Sequence, residues 1–107
     1  MLDLATLARI PHVASAVLGD AEGGFHDAIR EADGEAVASV AAFVATSLSL
    51  AGEELGIGAL RRIAVTGEKR ATVVAAAGGA LVTARVDPAS ALAAVEKALD
   101  VSLGTGG

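Results

Sequence analysis

The sequence predicts a three-layer α/β/α sandwich: a five-stranded antiparallel sheet with one long helix on one face and two shorter helices on the other. Residues 36–52 contain no charged side chain and show helical spacing, which indicates a long central helix. Residues 71–84 are also uncharged, as is typical of strands buried on both faces. Turns rich in glycine and aspartate divide the remainder, and the predicted order of elements is α-β-β-α-β-β-β-α.

A short helix and a β-hairpin are predicted first. The helix, Leu2–Ile10, ends before Pro11 because the residue before a proline is disfavoured in the α conformation. Its buried face is expected to consist of Leu4, Leu7 and Ala8. Strands His12–Leu18 and Phe25–Glu31 flank an acidic, glycine-containing turn, which is typical of a hairpin. Because the second strand is polar, we expect it at an edge of the sheet.

The long helix is predicted to begin after Asp33, whose carboxylate should cap the first amides, and to end near Leu55. Its apolar stripe at i, i+3, i+4, i+7 spacing is expected to pack on the sheet. The members of this stripe are Val37, Val40, Ala41, Val44, Leu48, Ala51 and Leu55. A second apolar line contains Phe43 and Leu50, and the surface beside it is small enough for a neighbouring backbone to approach. The small residues there are Ala38, Ala42, Ala45 and Ser49.

This helix lacks the polar outer face that a surface helix of a small monomer should have. Residues 36–52 fall short of the ~20 apolar residues of a bilayer span, and serine and threonine interrupt them, so we expect no membrane insertion. We instead predict that a second protein covers Phe43, Ser47 and Leu50. The alternative is that the first or last helix covers this side.

A three-strand meander and a final helix complete the prediction. The strands are Leu60–Thr66, Arg70–Ala77 and Ala80–Val86, and Gly78-Gly79 forms a tight turn. The last two strands should be central, which leaves the first at an edge. The last helix is expected to begin with an Asp87 cap and Pro88, with an inner stripe of Leu92, Val95, Ala98 and Leu99. We expect a single domain over residues 1–103 and a frayed tail over residues 104–107.

Composition excludes several functions. The net charge is −5 and only 2% of the residues are aromatic, which argues against nucleic acids and anionic membrane surfaces. The chain has no cysteine, and Met1–Ala5 lacks the basic region of a signal peptide, so we expect a cytoplasmic protein.

Catalytic and cofactor motifs are nearly missing from the sequence. His12 and His26 are predicted too far apart to share a metal ion, and an acidic cluster of Asp20, Glu22 and Asp27 lacks the spacing of a calcium loop. The serines have no histidine placed to activate them, and neither glycine-rich turn matches a phosphate-binding loop. We therefore expect no enzyme activity, no cofactor and no bound metal.

The segment IPHVASAVL, followed by Asp20-Ala21-Glu22-Gly23, resembles the opening of a roadblock/dynein light chain domain. The similarity continues through the long helix, the Leu55–Leu60 connection, the meander and the last helix. Glu22, where aspartate is commoner, and the polar Phe25–Glu31 strand are departures from the family. The resemblance implies a homodimer or heterodimer in which the long helices pack together and the Leu60–Thr66 strands pair. The interface would then include Phe43, Ser47, Leu50, Ile63, Ala64, Val65 and Thr66.

The family consists of non-catalytic regulators and scaffolds, and the bacterial members resembling this chain often serve Ras-like small GTPases. The resemblance thus implies a dimeric regulator or adaptor of a small GTPase. Arg61 and Arg62 are candidate GTPase contacts, since an arginine supplied in trans can stabilise phosphoryl transfer. The alternatives are a structural dimerisation subunit of a motor, cytoskeletal or signalling complex, and a small-molecule sensor.

Overall fold

The predicted sandwich is present in the computed structural model, which describes residues 4–58, 61–77 and 79–103. In chain order, the helices and strands have the predicted sequence of types. They are α1 (Leu4–Ala8), β1 (Val13–Asp20), β2 (Phe25–Ile29), α2 (Gly34–Glu54), β3 (Arg62–Thr66), β4 (Ala71–Ala77), β5 (Ala80–Val86) and α3 (Leu92–Leu103). A 3₁₀ turn, Ala89–Ala91, precedes α3.

All neighbouring strands are antiparallel, and the sheet order is β2-β1-β5-β4-β3. The predicted edge positions of the second and third strands are thereby confirmed, as is the inner position of the last two. Val73 and Val74 on β4, and Val82 and Thr83 on β5, are all buried, which confirms that both faces of these strands are covered. Parts of the prediction lie outside the described residues: Leu2, Asp3, Leu60, Gly78 and the tail over 104–107.

The larger core lies between the sheet and the pair α1 and α3, and we call this side the closed face. It is built from large aliphatic side chains that are almost completely buried. Examples are Leu7, Val95 and Leu99, with 2%, 0% and 1% of their surface exposed. The predicted buried residues of α1 and the inner stripe of α3 are therefore confirmed, with Leu92 and Ala98 partly buried.

The opposite side of the sheet, which we call the α2 face, has a smaller core. Here α2 packs through the side chains of Ala41, Ala42 and Ala45, with Val74 and Leu81 of the sheet opposite them. The buried residues of the helix are Gly34, Ala38, Ala41, Ala42, Ala45 and Gly52. The prediction that the valine and leucine stripe packs on the sheet is wrong, because of that stripe only Ala41 is buried.

Close approach of α2 to β1 explains this choice of helix face. A Cβ atom on Gly19 would lie 2.8 Å from the Gly24 carbonyl oxygen and 2.9 Å from the Ala38 Cβ. Larger side chains do not fit into so narrow a space, so the helix turns its smallest residues inward. Ala38, Ala42 and Ala45 were predicted to meet a partner and instead meet the chain's own sheet.

Two predicted helix caps differ from the structure. Asp33 occupies the position before α2, but its carboxylate makes no capping hydrogen bond, and its own N–H donates to Glu31 Oε2 at 3.3 Å. The last helix does not begin with an aspartate cap and a first-turn proline. Pro88, which follows a cis peptide bond, is itself the cap residue of the 3₁₀ turn, and α3 begins at Leu92.

Arg30 ties the end of β2 to the start of the chain. It has a left-handed backbone, with φ of 59°, and follows the last residue of the strand. Its guanidinium donates to the carbonyl oxygens of Ala8 at 2.7 Å, Val13 at 3.0 Å and Ala14 at 2.9 Å. The predicted strand Phe25–Glu31 is therefore too long, since β2 ends at Ile29 where the left-handed backbone of Arg30 interrupts it.

Candidate interaction surface

Large apolar side chains are exposed along the outer side of α2. Phe43 and Leu50, the predicted partner residues, have 73% and 60% of their surface exposed, and Ser47 beside them is exposed. Val40 is 63% exposed and Leu55 is 74% exposed, although both were predicted to lie on the sheet. Monomeric soluble proteins rarely expose such contiguous apolar surface, so this side of α2 is a candidate interaction surface.

A groove of about 410 Å³ separates α2 from the β3 edge of the sheet. Val37, Val40 and Val44 form its helical wall, and Ile63 and Val65 of β3 form the opposite side. Because α2 packs mainly on β1, β2 and β5, it leaves β3 uncovered on this face. The structure thus brings the predicted edge-strand residues Ile63 and Val65 to the same surface as α2.

A second cavity of about 390 Å³ lies near the other end of α2, against the start of β5. Leu50, Ala45 and Ser49 line it from the helix, and Ala76 and Leu81 line it from the sheet. Leu50 therefore lies at this second cavity, whereas Phe43 borders neither cavity.

The β3 edge is accessible along its length. Val65 is 63% exposed, Ala64 and Thr66 are exposed, and Ile63 is half-buried. Residues 63–66 of this edge strand carry no charge, and an exposed edge presents unpaired backbone donors and acceptors to any other chain. This placement agrees with the predicted interface, whose contacts to a partner stay a prediction.

The two arginines before and in β3 have different surroundings. Arg61 is exposed, and its carbonyl oxygen accepts from the Ala76 N–H at 2.8 Å. Arg62 binds the carboxylate of Asp100 on α3 with both terminal nitrogens, and this hydrogen bond raises the pKa of its guanidinium. The candidate role of the pair toward a GTPase stays a prediction, but Arg62 would first have to leave Asp100.

A polar cluster closes the end of the groove where α2 begins. Arg85 Nε lies 2.8 Å from Glu31 Oε1, and the buried Ser15 hydroxyl donates to the same oxygen at 3.4 Å. Arg85 and Asp33 both line the groove. The groove is therefore apolar along its length, with charged groups at one end.

The acidic turn between β1 and β2 uses its carboxylates internally. Asp20 accepts from the N–H groups of Glu22 and Gly24, at 3.0 and 2.9 Å, and lies 2.8 Å from His26 Nε2. The hydrogen bond with His26, followed by that from Gly24, lowers the pKa of Asp20. In the described part of the chain, no three side chains of the metal-binding types come together as a metal site.

Sequence reasoning missed Val40, Leu48, Leu55 and Ile57 as exposed apolar residues, with Ile57 exposed at 78%. The available signal was the second helical stripe, in which glycine and alanine recur at intervals of three, four and seven from Gly34 to Gly52. By length and composition alone, the 21-residue α2 could cross a membrane. In this fold its small-residue side packs on the sheet instead.

No protein-family model matches this sequence, and no curated protein matches it. Several solved structures match its fold. MglB of Myxococcus xanthus superposes with a TM-score of 0.83 at 14% identity, over 92% of this chain and 84% of the other. The MglB gliding protein of Thermus thermophilus superposes with a TM-score of 0.75 at 19% identity, over 94% of this chain and 82% of the other. A roadblock/LC7 domain from Streptomyces avermitilis gives 0.71 at 20% identity, over 92% of each chain. The resemblance found in the sequence is thereby confirmed in three dimensions, and the protein has the roadblock/LC7 fold.

Proposed function

We propose that this protein is a non-enzymatic, cytoplasmic homodimer that regulates or recruits a Ras-like small GTPase through protein–protein contacts. Self-association and GTPase binding are separate properties of the chain and are measured by separate experiments.

The observation that supports self-association is the continuity of the exposed apolar surface. Val40 on α2 and Val65 on β3 are both 63% exposed, and both line the groove between the helix and the strand. A second copy seated on β3 would cover strand and groove together. Burial of such apolar area is the main favourable contribution to association.

Charge substitution on α2 tests self-association. Phe43→Glu or Leu50→Glu would place an unpaired carboxylate in the buried interface, which is strongly unfavourable. Because both side chains are exposed in the single chain, the variants should still fold. We expect a dimeric mass for the unmodified protein at micromolar concentration by light scattering, and a monomeric mass for each variant with an unchanged circular dichroism spectrum. A monomeric mass for the unmodified protein would contradict this part of the proposal.

GTPase binding is supported by the roadblock/LC7 fold and by its likeness to MglB. The bacterial proteins that the sequence resembles often serve small GTPases. The chain would act by holding the switch region of the GTPase in one conformation. A regulator can bias only those states between which its affinity differs. We therefore expect tighter binding to the GTP-loaded partner than to the GDP-loaded one.

A Ras-like small GTPase from the same organism is the probe, loaded with GDP or with a non-hydrolysable GTP analogue and titrated calorimetrically. Arg61→Ala should reduce any stimulated hydrolysis only modestly, with Arg70→Ala as a matched exposed control. A loss on the order of a thousandfold with binding intact would instead identify Arg61 as a catalytic arginine acting in trans. Equal affinity for both nucleotide states, with no effect on hydrolysis or exchange, would favour a structural dimerisation subunit.

A further inference from the structure

The outward hydrogen-bonding groups of β3 fix the register in which two copies of this chain can pair. This inference rests on the self-association proposed above. In an antiparallel ladder, residues that exchange hydrogen bonds with one neighbour alternate with residues whose N–H and C=O point away from it. The observed pairing of β3 with β4 therefore determines which groups face outward.

Two backbone hydrogen bonds just beyond the ends of β3 show which of its residues are bonded to β4. The Ala76 N–H donates to the Arg61 carbonyl at 2.8 Å, and the Gly67 N–H donates to the Arg70 carbonyl at 2.8 Å. Both pairs continue the register in which Arg62 is opposite Ala75 and Thr66 is opposite Ala71. The odd-numbered residues from 61 to 67 are thus bonded to β4. The backbone groups of Arg62, Ala64 and Thr66 point away from the sheet.

A second constraint comes from the two faces of the sheet. Ile63 and Val65 line the groove on the α2 face, whereas Arg62 reaches Asp100 on the closed face. Residues directly opposite one another in a ladder point to the same face. If a two-fold axis perpendicular to the sheet relates the copies, both copies keep the same face of the sheet on the same side. Odd-numbered residues of β3 must then lie opposite odd-numbered residues of the second copy, and even-numbered opposite even-numbered. The axis therefore passes between one residue of β3 and the same residue of the second copy.

We propose that two copies pair through β3 with Ala64 opposite Ala64 of the second copy. Arg62 then lies opposite Thr66, and all three outward residues join the ladder with about six hydrogen bonds. An axis through Ile63 would leave Thr66 outside the paired segment, and an axis through Val65 would leave Arg62 outside it. Both of those registers provide about four hydrogen bonds.

The side chains agree with the register centred on Ala64. The small methyl group of Ala64 is exposed in the single chain and meets only its own counterpart at the axis. Each Arg62 lies four residue positions from the other, about 13 Å away, and is already bound to Asp100. The pairing therefore brings no two like charges into contact.

Cysteine cross-linking measures this register directly, because the natural chain has no cysteine. In the proposed dimer, the two Ala64 Cα atoms are about 5.5 Å apart, within the range that a disulfide spans. The two Val65 Cα atoms are about 8 Å apart, which is beyond it. With dipyridyl disulfide as the oxidant, Ala64→Cys should form a covalent dimer at least about tenfold faster than Val65→Cys, Ile63→Cys or Thr66→Cys.

The other outcomes separate the register from self-association. Faster cross-linking of Val65→Cys or Ile63→Cys would place the axis at that residue and overturn the proposal. A dimeric mass by light scattering with slow cross-linking at every position would mean that β3 is not the interface, while self-association stands. A monomeric mass for the unmodified protein would overturn both.

Charge substitution at the axis gives an independent measurement. Ala64→Lys places two like charges opposite each other in a homodimer, and so does Ala64→Glu. An equal mixture of the two variants can form a heterodimer with opposite charges there. We expect this heterodimer to bind about fivefold more tightly than either variant homodimer. Equal dissociation constants for all three would contradict the self-facing position of Ala64.

Discussion

The two faces of the sheet are packed in opposite ways. On the closed face, Leu7, Val95 and Leu99 each have at most 2% of their surface exposed. On the α2 face, the helix buries alanine and glycine and leaves its phenylalanine and both of its leucines exposed. A single chain buries the apolar side chains of the closed face, whereas it leaves large apolar side chains exposed on the α2 face. Hydrophobicity along a helix therefore does not by itself indicate which side contacts its own sheet.

The contrast predicts opposite sensitivities to mutation. A face packed with large side chains is weakened when one of them is shortened, because a cavity remains. A face in close contact through small side chains is weakened when one of them is enlarged, because the helix must move away. Substitutions on the two faces measure this contrast, and each variant is compared with its control at the same protein concentration.

Leu99→Ala should have the largest effect. Leu99 is 1% exposed in the core of the closed face, and truncation of such a leucine costs about 3 kcal/mol in the free energy of unfolding. Urea denaturation measures the change. Val101→Ala on the same helix, where 79% of the side chain is exposed, is the matched control and should change stability by less than about 0.5 kcal/mol. Similar losses for both would mean that α3 is not packed as described.

Ala38→Leu should destabilise the α2 face by about 1–3 kcal/mol, because Ala38 is 3% exposed and its Cβ lies against Gly19. Ala51→Leu is the control, since it adds the same atoms to an exposed position of the same helix. Urea denaturation of the two variants gives the comparison. A stabilising effect of Ala38→Leu would show that α2 has room above β1.

Phe43→Ala should separate the fold from the interface. Because Phe43 is 73% exposed, its truncation should change the free energy of unfolding of the monomer by less than about 0.5 kcal/mol. The dissociation constant of the dimer should rise at least about tenfold if Phe43 is a central contact. Denaturation at low concentration and sedimentation at high concentration measure the two quantities. A large loss of monomer stability would place Phe43 in the intramolecular core.

Acid should have the smallest effect, confined to the α2 face. The pKa of Asp20 is lowered by His26 and the turn amides, so its contribution to stability is present above the ordinary pKa of 3.8. That contribution disappears as the pH falls through the lowered pKa that Asp20 has in the folded state. The turn lies against Ser39 and Ala42 of α2. The protection factors of the turn amides, which are measured relative to the intrinsic exchange rate at each pH, should therefore fall in acid, and Asp20→Asn should remove this component of the pH dependence.

The sequence predicts the element types and the strand positions well because the pattern of charges reflects burial directly. The uncharged run through β4 and β5 indicates central strands, and the polar β2 indicates an edge. The buried side of α2 could not be predicted in the same way. Both of its stripes are apolar, and the choice between Val40 and Ala38 depends on Gly19, which contacts the helix only in the folded chain.

The candidate surface could be predicted in part. Phe43, Leu50 and Val65 are exposed, as an interaction surface requires, but Val40 was assigned to the wrong side of the helix. The partner of Arg62 was also beyond sequence reasoning, because Asp100 is distant in the chain and approaches only when α3 packs below β3. Local spacing contains no information about such long-range pairs.

The three hydrogen bonds of Arg30 affect how the molecule opens as well as how stable it is. A helix of five residues such as α1 has no independent stability in water, so it persists only through its contacts. Arg30 joins the end of α1 to the end of β2 through one guanidinium. Detachment of the β2 edge therefore breaks the hydrogen bond that joins it to α1, which then keeps only the contacts of Leu4, Leu7 and Ala8 with the closed face. Opening of the hairpin thereby favours opening of the first helix, so the two local unfolding events are coupled through one side chain.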